Sequence, residues 1–128
     1  MKIKTMRLQL GFTLVEIMIV VAIIGLLAAI AIPNFIKSRA TTQANACIAN
    51  MQQIDGSITE WALENNQTTG ATPPNVVSLT TLGYLHTPGG NAPTCPALGT
   101  YNIAPIGTAP TVTCSLGSSV TPAHTAPG

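Results

Sequence analysis

The pattern of apolar and polar positions divides the chain into three parts, of which the first is a continuous apolar run. From Phe12 to Ile32 the run contains one charged residue and one hydroxyl residue. At about 1.5 Å per residue, a helix over this run is about 30 Å long, which is the thickness of the hydrocarbon core of a bilayer. The pattern therefore predicts a membrane-spanning helix over residues 12–33.

A different periodicity follows over residues 34–65. Apolar side chains recur there at alternating steps of four and three, which predicts one apolar stripe along an amphipathic helix. The stripe consists of Ala40, Ala44, Cys47, Met51, Ile54, Ile58 and Trp61. We expect it to be the face on which the C-terminal part of the chain docks, while Gln43, Asn50 and Gln53 fall on other faces.

Helix breakers mark the junction and the end of this long helical stretch. Pro33 removes one backbone hydrogen bond, and Gly25 is a second weak point, so we expect a kink or local melting near residues 29–33. Asn65 and Asn66, followed by glycine and proline, predict that the helix ends near residues 64–66.

The third part, residues 66–128, is rich in Thr, Pro and Gly and contains no Lys, Arg, Asp or Glu. Its apolar residues suffice to cover one helix face, so we expect a small ordered module with a loose tail from about residue 117. Residues 99–104 and 110–115 have strand composition and predict a β-hairpin, and Asn75 is placed to cap a short helix over 76–85. The predicted fold class is α+β, with one long helix packed by this module.

Three cysteines, Cys47, Cys95 and Cys114, lie in the part that a membrane signal would export. Disulfides are the default in an oxidising compartment, and we expect a Cys95–Cys114 bond, with Cys47 as the alternative partner of Cys114. A metal site built from His86, Cys95, Cys114 and His124 matches no zinc spacing, and export favours oxidation. We therefore expect no metal site and no cofactor.

The charges are segregated along the chain. Lys2, Lys4 and Arg7 precede the apolar run, so the positive-inside rule predicts a cytoplasmic N-terminus. Without them the chain is weakly acidic, and nothing indicates nucleic-acid binding. Glu60 and Glu64 are one turn apart on an exposed helix face, and no phosphate loop or nucleophile elbow is present. The sequence therefore predicts no catalytic site.

Glu16 is out of place inside the apolar run. A carboxylate deep in a bilayer costs roughly 2.5–3.5 kcal/mol, and neither a secretory signal cleaved after residue 31 nor a plain single-pass anchor needs it. A cut after Gly11 would create an α-amine on Phe12. Opposite charges at about 4 Å attract by about 4 kcal/mol at an effective dielectric near 20. The amine of an incoming subunit could therefore meet Glu16 of a docked neighbour and set the register of an assembly.

The segment that begins Gly11-Phe12-Thr13-Leu14-Val15-Glu16 and runs through Gly25 to Pro33 resembles the N-terminal segment of type IV prepilins and type II secretion pseudopilins. The resemblance covers about residues 1–60. It implies that residues 1–11 are a leader removed by prepilin peptidase, that Phe12 becomes N-methylated, and that Glu16 sets the filament register. Gly25 and Pro33 stand where the helix of this family melts on assembly.

The resemblance also implies a place in the cell and a set of partners. The precursor is expected in the bacterial inner membrane, and the product is a helical homopolymer outside the cell or across the periplasm, built by an assembly platform and its ATPase. Major pseudopilins usually carry acidic calcium-binding residues in their C-terminal loops, and this chain has none after Glu64. We therefore favour a major type IV pilin. A pseudopilin is the alternative, followed by a single-pass anchor or a secreted protein.

Overall fold

The structure is a computed structural model in which residues 11–125 are described. The elements in chain order are helix α1 (Leu14–Glu64), helix α2 (Val76–Thr81), strand β1 (Tyr101–Ile103) and strand β2 (Val112–Cys114). The predicted α+β class, with one long helix and a hairpin-containing module, is confirmed. Residues 1–10 of the expected leader lie outside the described residues. The chain forms two compact units, one up to Lys37 and one from Ser38 onward.

Helix α1 is assigned as one α-helix that includes Pro33. Residues 29–33, where we expected a kink or local melting, are therefore helical in the isolated chain, and melting during assembly stays a prediction. The helix ends at Glu64, as Asn65 and Asn66 predicted. Asn66 adopts a left-handed conformation with φ of 50°, and the backbone N–H of Gln67 donates to the carbonyl of Ala62 at 2.8 Å, which closes the last turn.

The stripe on the second half of α1 is the centre of the core of the second unit. Cys47, Met51 and Ile54 are at most 1% exposed, which confirms the predicted periodicity. Ser57 is also buried, because its hydroxyl donates to the carbonyl of Gln53 at 2.9 Å and needs no outside partner. The core cluster consists of Cys47, Met51, Ile54, Ile58, Leu79, Leu85, Cys95, Val112 and Cys114.

Neutral amide side chains along the edges of this stripe hold the C-terminal loops. Each donates a hydrogen bond to a loop carbonyl, and such bonds contribute about 0.5–1.5 kcal/mol each. The three bonds join Gln43 Nε2 to the carbonyl of Pro96 at 3.3 Å, Asn50 Nδ2 to that of Thr94 at 3.2 Å, and Gln53 Nε2 to that of His86 at 2.7 Å. The sequence analysis placed these amides on other faces and missed this role.

Helix α2 begins as predicted and ends earlier. The Asn75 side chain accepts a hydrogen bond from the backbone N–H of Ser78 at 2.8 Å, which is an N-cap. The helix ends at Thr81 and not near residue 85, because Gly83 takes a φ of 87° that a helix does not contain. Leu79 and Leu85 still reach the core from either side of this break.

The predicted hairpin is present, but its two strands are shorter than the segments 99–104 and 110–115 that have strand composition. β1 and β2 pair antiparallel, with Tyr101 opposite Cys114 and Ile103 opposite Val112. Val112 and Cys114 are buried while Thr113 between them is exposed, which is the alternation of a half-buried strand. The hairpin thereby directs one thiol of the chain toward the core.

The segment after β2 contributes a buried histidine and a backbone hydrogen bond. His124 is 3% exposed, and its backbone N–H donates to the carbonyl of Gly117 at 2.7 Å. The loose tail that we expected from about residue 117 stays a prediction. Residues 126–128 lie outside the described part of the chain.

The predicted Cys95–Cys114 disulfide is absent, and so is the alternative bond to Cys47. All three thiols are free and buried. The physical reason lies in the fold. The three sulphur atoms come from α1, from the loop before β1 and from the end of β2, and they lie close together beside His124. The thiols therefore form one shared cluster in place of a separate pair.

The environments of the thiols differ in their effect on ionisation. Burial raises the pKa of Cys47 to about 12, although the Tyr101 hydroxyl opposes this. Burial acts in the same direction on Cys95, but the backbone N–H groups of Ala97 and Gly99, together with the thiols of Cys47 and Cys114, outweigh burial and lower the pKa of that thiol. Backbone donors therefore favour the thiolate of Cys95.

We expect Leu79→Ala to lower the free energy of unfolding by about 2–5 kcal/mol, because it leaves a cavity in the core cluster. Leu98→Ala is the matched control, since Leu98 is 94% exposed. Denaturant unfolding of the full chain in detergent can be followed by the fluorescence of Trp61, the single tryptophan. Equal effects of the two substitutions would contradict this description of the core.

Candidate functional site

The candidate site is the start of α1, where the residues around the expected cleavage point meet the helix. Gly11, Phe12 and Thr13 precede the helix and are exposed. The Thr13 hydroxyl accepts a hydrogen bond from the backbone N–H of Glu16 at 3.2 Å, and the Thr13 carbonyl accepts one from Ile17 at 3.3 Å. Thr13 is therefore the N-cap of α1.

The spacing of Thr13 and Glu16 is that of a capping box, Ser/Thr-x-x-Glu. This signal was present in the sequence, and the sequence analysis missed it. Glu16 also lies in the first turn of α1, where the positive end of the helix dipole stabilises a negative charge by about 0.3–1 kcal/mol. Glu16 thus has a local structural role in addition to the assembly role that we expected.

The expected cleavage point lies in an accessible stretch of backbone. The bond between Gly11 and Phe12 is outside the helix, and Phe12 is 80% exposed. A Cβ atom added at Gly11 would meet nothing within 4 Å. The fold of the isolated chain therefore does not require glycine at this position, and a requirement for it would have to come from a processing enzyme.

Gly25 is equally free of local constraint. A Cβ atom at this position would meet nothing within 4 Å, yet glycine inside a helix costs about 1 kcal/mol relative to alanine. Nothing in the isolated chain offsets this cost. The position is consistent with the predicted weak point of the helix, which stays a prediction.

The first half of α1 carries a large apolar surface that no other part of the described chain covers. The large apolar side chains from Phe12 to Ile36 are 48–80% exposed. By length and composition the helix can cross a membrane, because its most apolar window has a mean hydropathy of 2.9 and is not buried inside the protein. This surface needs either lipid or other apolar helices around it.

The start of α1 brings together only some of the residues singled out from the sequence. Phe12 and Glu16 lie at the same end of the helix, together with Thr13, which the sequence did not single out. Gly25 and Pro33 lie further along α1, and the cysteines belong to the second unit. The processing and register roles expected of this end of the helix stay predictions, and the thiol cluster is a separate feature of the second unit.

Comparison with known proteins gives one family match and several relatives that match part of the chain. The family described as "Prokaryotic N-terminal methylation motif" matches residues 6–32. The chain is 59% identical over 44 residues to a type IV major pilin protein of Myxococcus xanthus, a match that covers 34% of this chain and 20% of the relative. No solved structure matches the chain.

Two further relatives represent different filament systems. A type IV major pilin protein of Neisseria gonorrhoeae is 41% identical over 75 residues, covering 53% of this chain and 46% of the relative. A type II secretion system core protein G of Vibrio cholerae is 32% identical over 63 residues, covering 49% of this chain and 43% of the relative. The chain thus spans less than half the length of each of these curated relatives.

We expect Thr13→Ala to destabilise the first turn of α1 by about 1 kcal/mol, because the N-cap hydrogen bond to Glu16 is lost. Amide hydrogen exchange at residues 15–17, measured in detergent micelles, should then be roughly fivefold faster. Thr13→Ser keeps the hydroxyl and should exchange like the unaltered chain. Unchanged exchange in Thr13→Ala would mean that Thr13 is not the cap.

Proposed function

We propose that this chain is the major subunit of a helical, type IV pilus-like filament, because it carries the N-terminal methylation motif and is homologous over part of its length to type IV pilins and type II secretion pseudopilins. Proteins of this family are structural and not enzymes, in agreement with the absence of a catalytic site expected from the sequence. The observation that carries the proposal is the uncovered apolar half of α1, with one carboxylate in its first turn.

An apolar helix of this kind needs cover in two successive environments. Burying one large apolar side chain is worth about 1.5–3 kcal/mol, so exposure of the whole surface to water is prohibitive. Lipid covers it in the inner-membrane precursor, and the apolar helices of neighbouring subunits cover it at the centre of the filament. Direct transfer from lipid to the centre of the filament never exposes this apolar surface to water.

Glu16 supplies the register that apolar packing lacks. Apolar helices pack in many registers with similar energies, whereas a charge pair in a low-dielectric setting forms at only one. Removal of the leader after Gly11 creates an amine on Phe12 that prepilin peptidase methylates. The amine of an incoming subunit then pairs with Glu16 of the subunit already docked, which offsets the cost of burying both charges.

The basic residues Lys2, Lys4 and Arg7 favour a precursor with a cytoplasmic N-terminus, which places the second unit on the opposite side of the inner membrane. The membrane-bound pool supplies an assembly platform driven by an ATPase. The final filament displays a surface that is uncharged from Asn65 onward.

The similarity to the core protein G of Vibrio cholerae keeps a type II secretion pseudopilin as the second candidate. The composition of the C-terminal module favours a pilin, because calcium binds through carboxylates and this chain has none after Glu64. Long surface filaments at native expression, with a thermal stability that calcium does not alter, are expected of the pilin. Calcium-dependent stability without surface filaments would favour the pseudopilin.

We expect Glu16→Ala to leave membrane insertion intact and to reduce the yield of filaments at least tenfold, because loss of about 1.4 kcal/mol per docking step is already a tenfold effect. Sheared filaments and membrane fractions are quantified by immunoblot. Glu60→Ala removes a carboxylate outside the apolar run and should assemble normally. Normal assembly of Glu16→Ala would refute the proposed register.

Gly11→Ser should leave the leader attached, since the fold tolerates a side chain at this position and only the peptidase would reject it. The precursor and the mature chain differ by the leader and separate on a gel. Thr13→Ser, which alters the other side of the same bond, should be processed normally. Efficient cleavage of Gly11→Ser would count against processing by prepilin peptidase.

A further inference from the structure

Four side chains with metal-binding atoms meet in the core of the second unit. They are the thiols of Cys47, Cys95 and Cys114 and the imidazole of His124, and all four residues are buried. Their ligand atoms lie within 4.8 Å of one another, and Cys95 Sγ is 3.5 Å from His124 Nδ1. No other buried group of this kind was found among the residues that the structure describes.

The four residues come from separate parts of the fold. Cys47 lies on α1, Cys95 in the loop that precedes β1, Cys114 at the end of β2, and His124 in the segment after the hairpin. All belong to the unit that begins at Ser38. A bond from each to a common atom would therefore join the helix, the loop, the hairpin and the C-terminal segment.

The spacing of these atoms fits a tetrahedral metal ion. With zinc–sulphur bonds of about 2.3 Å and zinc–nitrogen bonds of about 2.0–2.1 Å, tetrahedral angles give sulphur–sulphur edges of about 3.8 Å and sulphur–nitrogen edges of about 3.6 Å. The 3.5 Å between Cys95 Sγ and His124 Nδ1 already matches the second value. The other pairs of ligand atoms are at most 4.8 Å apart, so each pair would have to move together by about 1 Å at most to reach the tetrahedral distances.

We propose that Cys47, Cys95, Cys114 and His124 form a structural zinc site that holds the C-terminal module on α1. Three thiolates and one imidazole are a donor set typical of closed structural zinc sites, which have no open position for a reactant. The proposal does not depend on the proposed filament function, since it concerns the stability of the second unit alone.

Groups around the cluster are placed to support thiolate ligands. The backbone N–H groups of Ala97 and Gly99 donate to the Cys95 sulphur, and the Tyr101 hydroxyl contacts the Cys47 sulphur. Asn50 Nδ2 in turn donates to the Tyr101 oxygen at 3.0 Å, which orients that hydroxyl. Hydrogen bonds of this kind fix metal ligands and tune their basicity.

The backbone also approaches the cluster closely at Gly99. A Cβ atom at this position would lie 2.7 Å from Cys114 Sγ and 3.1 Å from Cγ of Leu116. Any side chain would therefore displace one of the proposed ligands. The requirement for glycine here comes from the contact itself, since its φ is not in the left-handed region.

A disulfide is the state that competes with a zinc site, and the two states differ in the number of thiols that remain reduced. A disulfide between any two of the thiols needs a sulphur–sulphur distance of about 2.05 Å and leaves the third thiol and His124 without a bond to the pair. Zinc uses all four groups. Counting thiols and metal in the same sample therefore distinguishes the two states.

The first experiment uses the full chain, purified in detergent from membranes without reductant or chelator. We expect one zinc per chain by inductively coupled plasma mass spectrometry, and three reactive thiols per chain after denaturation with a chelator. Less than a tenth of a zinc per chain, with one reactive thiol, would overturn the proposal in favour of a disulfide. Three thiols without bound zinc would overturn it as well.

Variants test whether the zinc sits at this cluster. Cys47→Ser and His124→Ala should each lose at least nine tenths of the zinc, whereas His86→Gln, which alters the exposed histidine of the same module, should retain it. Equal zinc in the unaltered chain and in both ligand variants would show adventitious binding and overturn the proposal. Gly99→Ala should weaken zinc retention during dialysis against a chelator.

Two measurements remain decisive if a ligand variant fails to fold. His124→Cys replaces the imidazole by a fourth thiolate and should keep one zinc per chain. Cobalt bound to the unaltered chain should give the strong visible bands of a tetrahedral ion together with sulphur-to-cobalt charge transfer, and His124→Cys should shift these bands. A weak octahedral cobalt spectrum, or loss of zinc from His124→Cys, would contradict the proposed ligand set.

Discussion

The first half of α1 has an apolar surface that nothing else among residues 11–125 covers, and the rest of the protein depends on this constraint. Covering each large side chain is worth about 1.5–3 kcal/mol, so the whole surface represents tens of kcal/mol, more than the roughly 5–15 kcal/mol that stabilise a typical domain. In the proposed function this surface is covered first by lipid and then by other copies of the same helix. In the proposed filament, the pairing of the Glu16 carboxylate with the amine of a neighbour sets the register of the subunits, while Thr13 caps the helix beside Glu16.

The same constraint leaves only the second half of α1 for the C-terminal module. One face of a helix and a two-stranded sheet provide a small core, and from Asn65 onward the chain has no charged side chain with which to form ion pairs. The contacts are accordingly mostly between neutral groups, with one exception in which the Tyr84 hydroxyl donates to the Glu64 carboxylate at 2.7 Å. Amides of α1 donate to loop carbonyls, and the thiols of three segments meet His124 at the centre. In the proposed zinc-bound form the metal adds directional bonds where a small apolar core has few to offer.

The sequence predicted the parts of the fold that depend on local periodicity. The buried face around Met51, the end of α1 at the asparagine pair and the hairpin were all accessible in this way. The capping box at Thr13 was equally local and was missed because Glu16 was interpreted only as an assembly residue. The thiol cluster could not be found from spacing, since its ligands are far apart in the chain. His124 was placed in a tail expected to be loose, and His86 was considered in place of Cys47. Only the folded chain brings these residues together.

In the proposed function, this chain is processed to expose Phe12 and then assembles through it. The most direct test is the mass of the N-terminal peptide of the protein isolated from cells that carry the complete assembly machinery. Processing by prepilin peptidase predicts a peptide that begins at Phe12 and carries one methyl group on its amine. A mature chain that begins at Met1 would instead indicate a permanent membrane anchor, and one that begins at Ile32 would indicate a secreted protein. Either result would contradict the account.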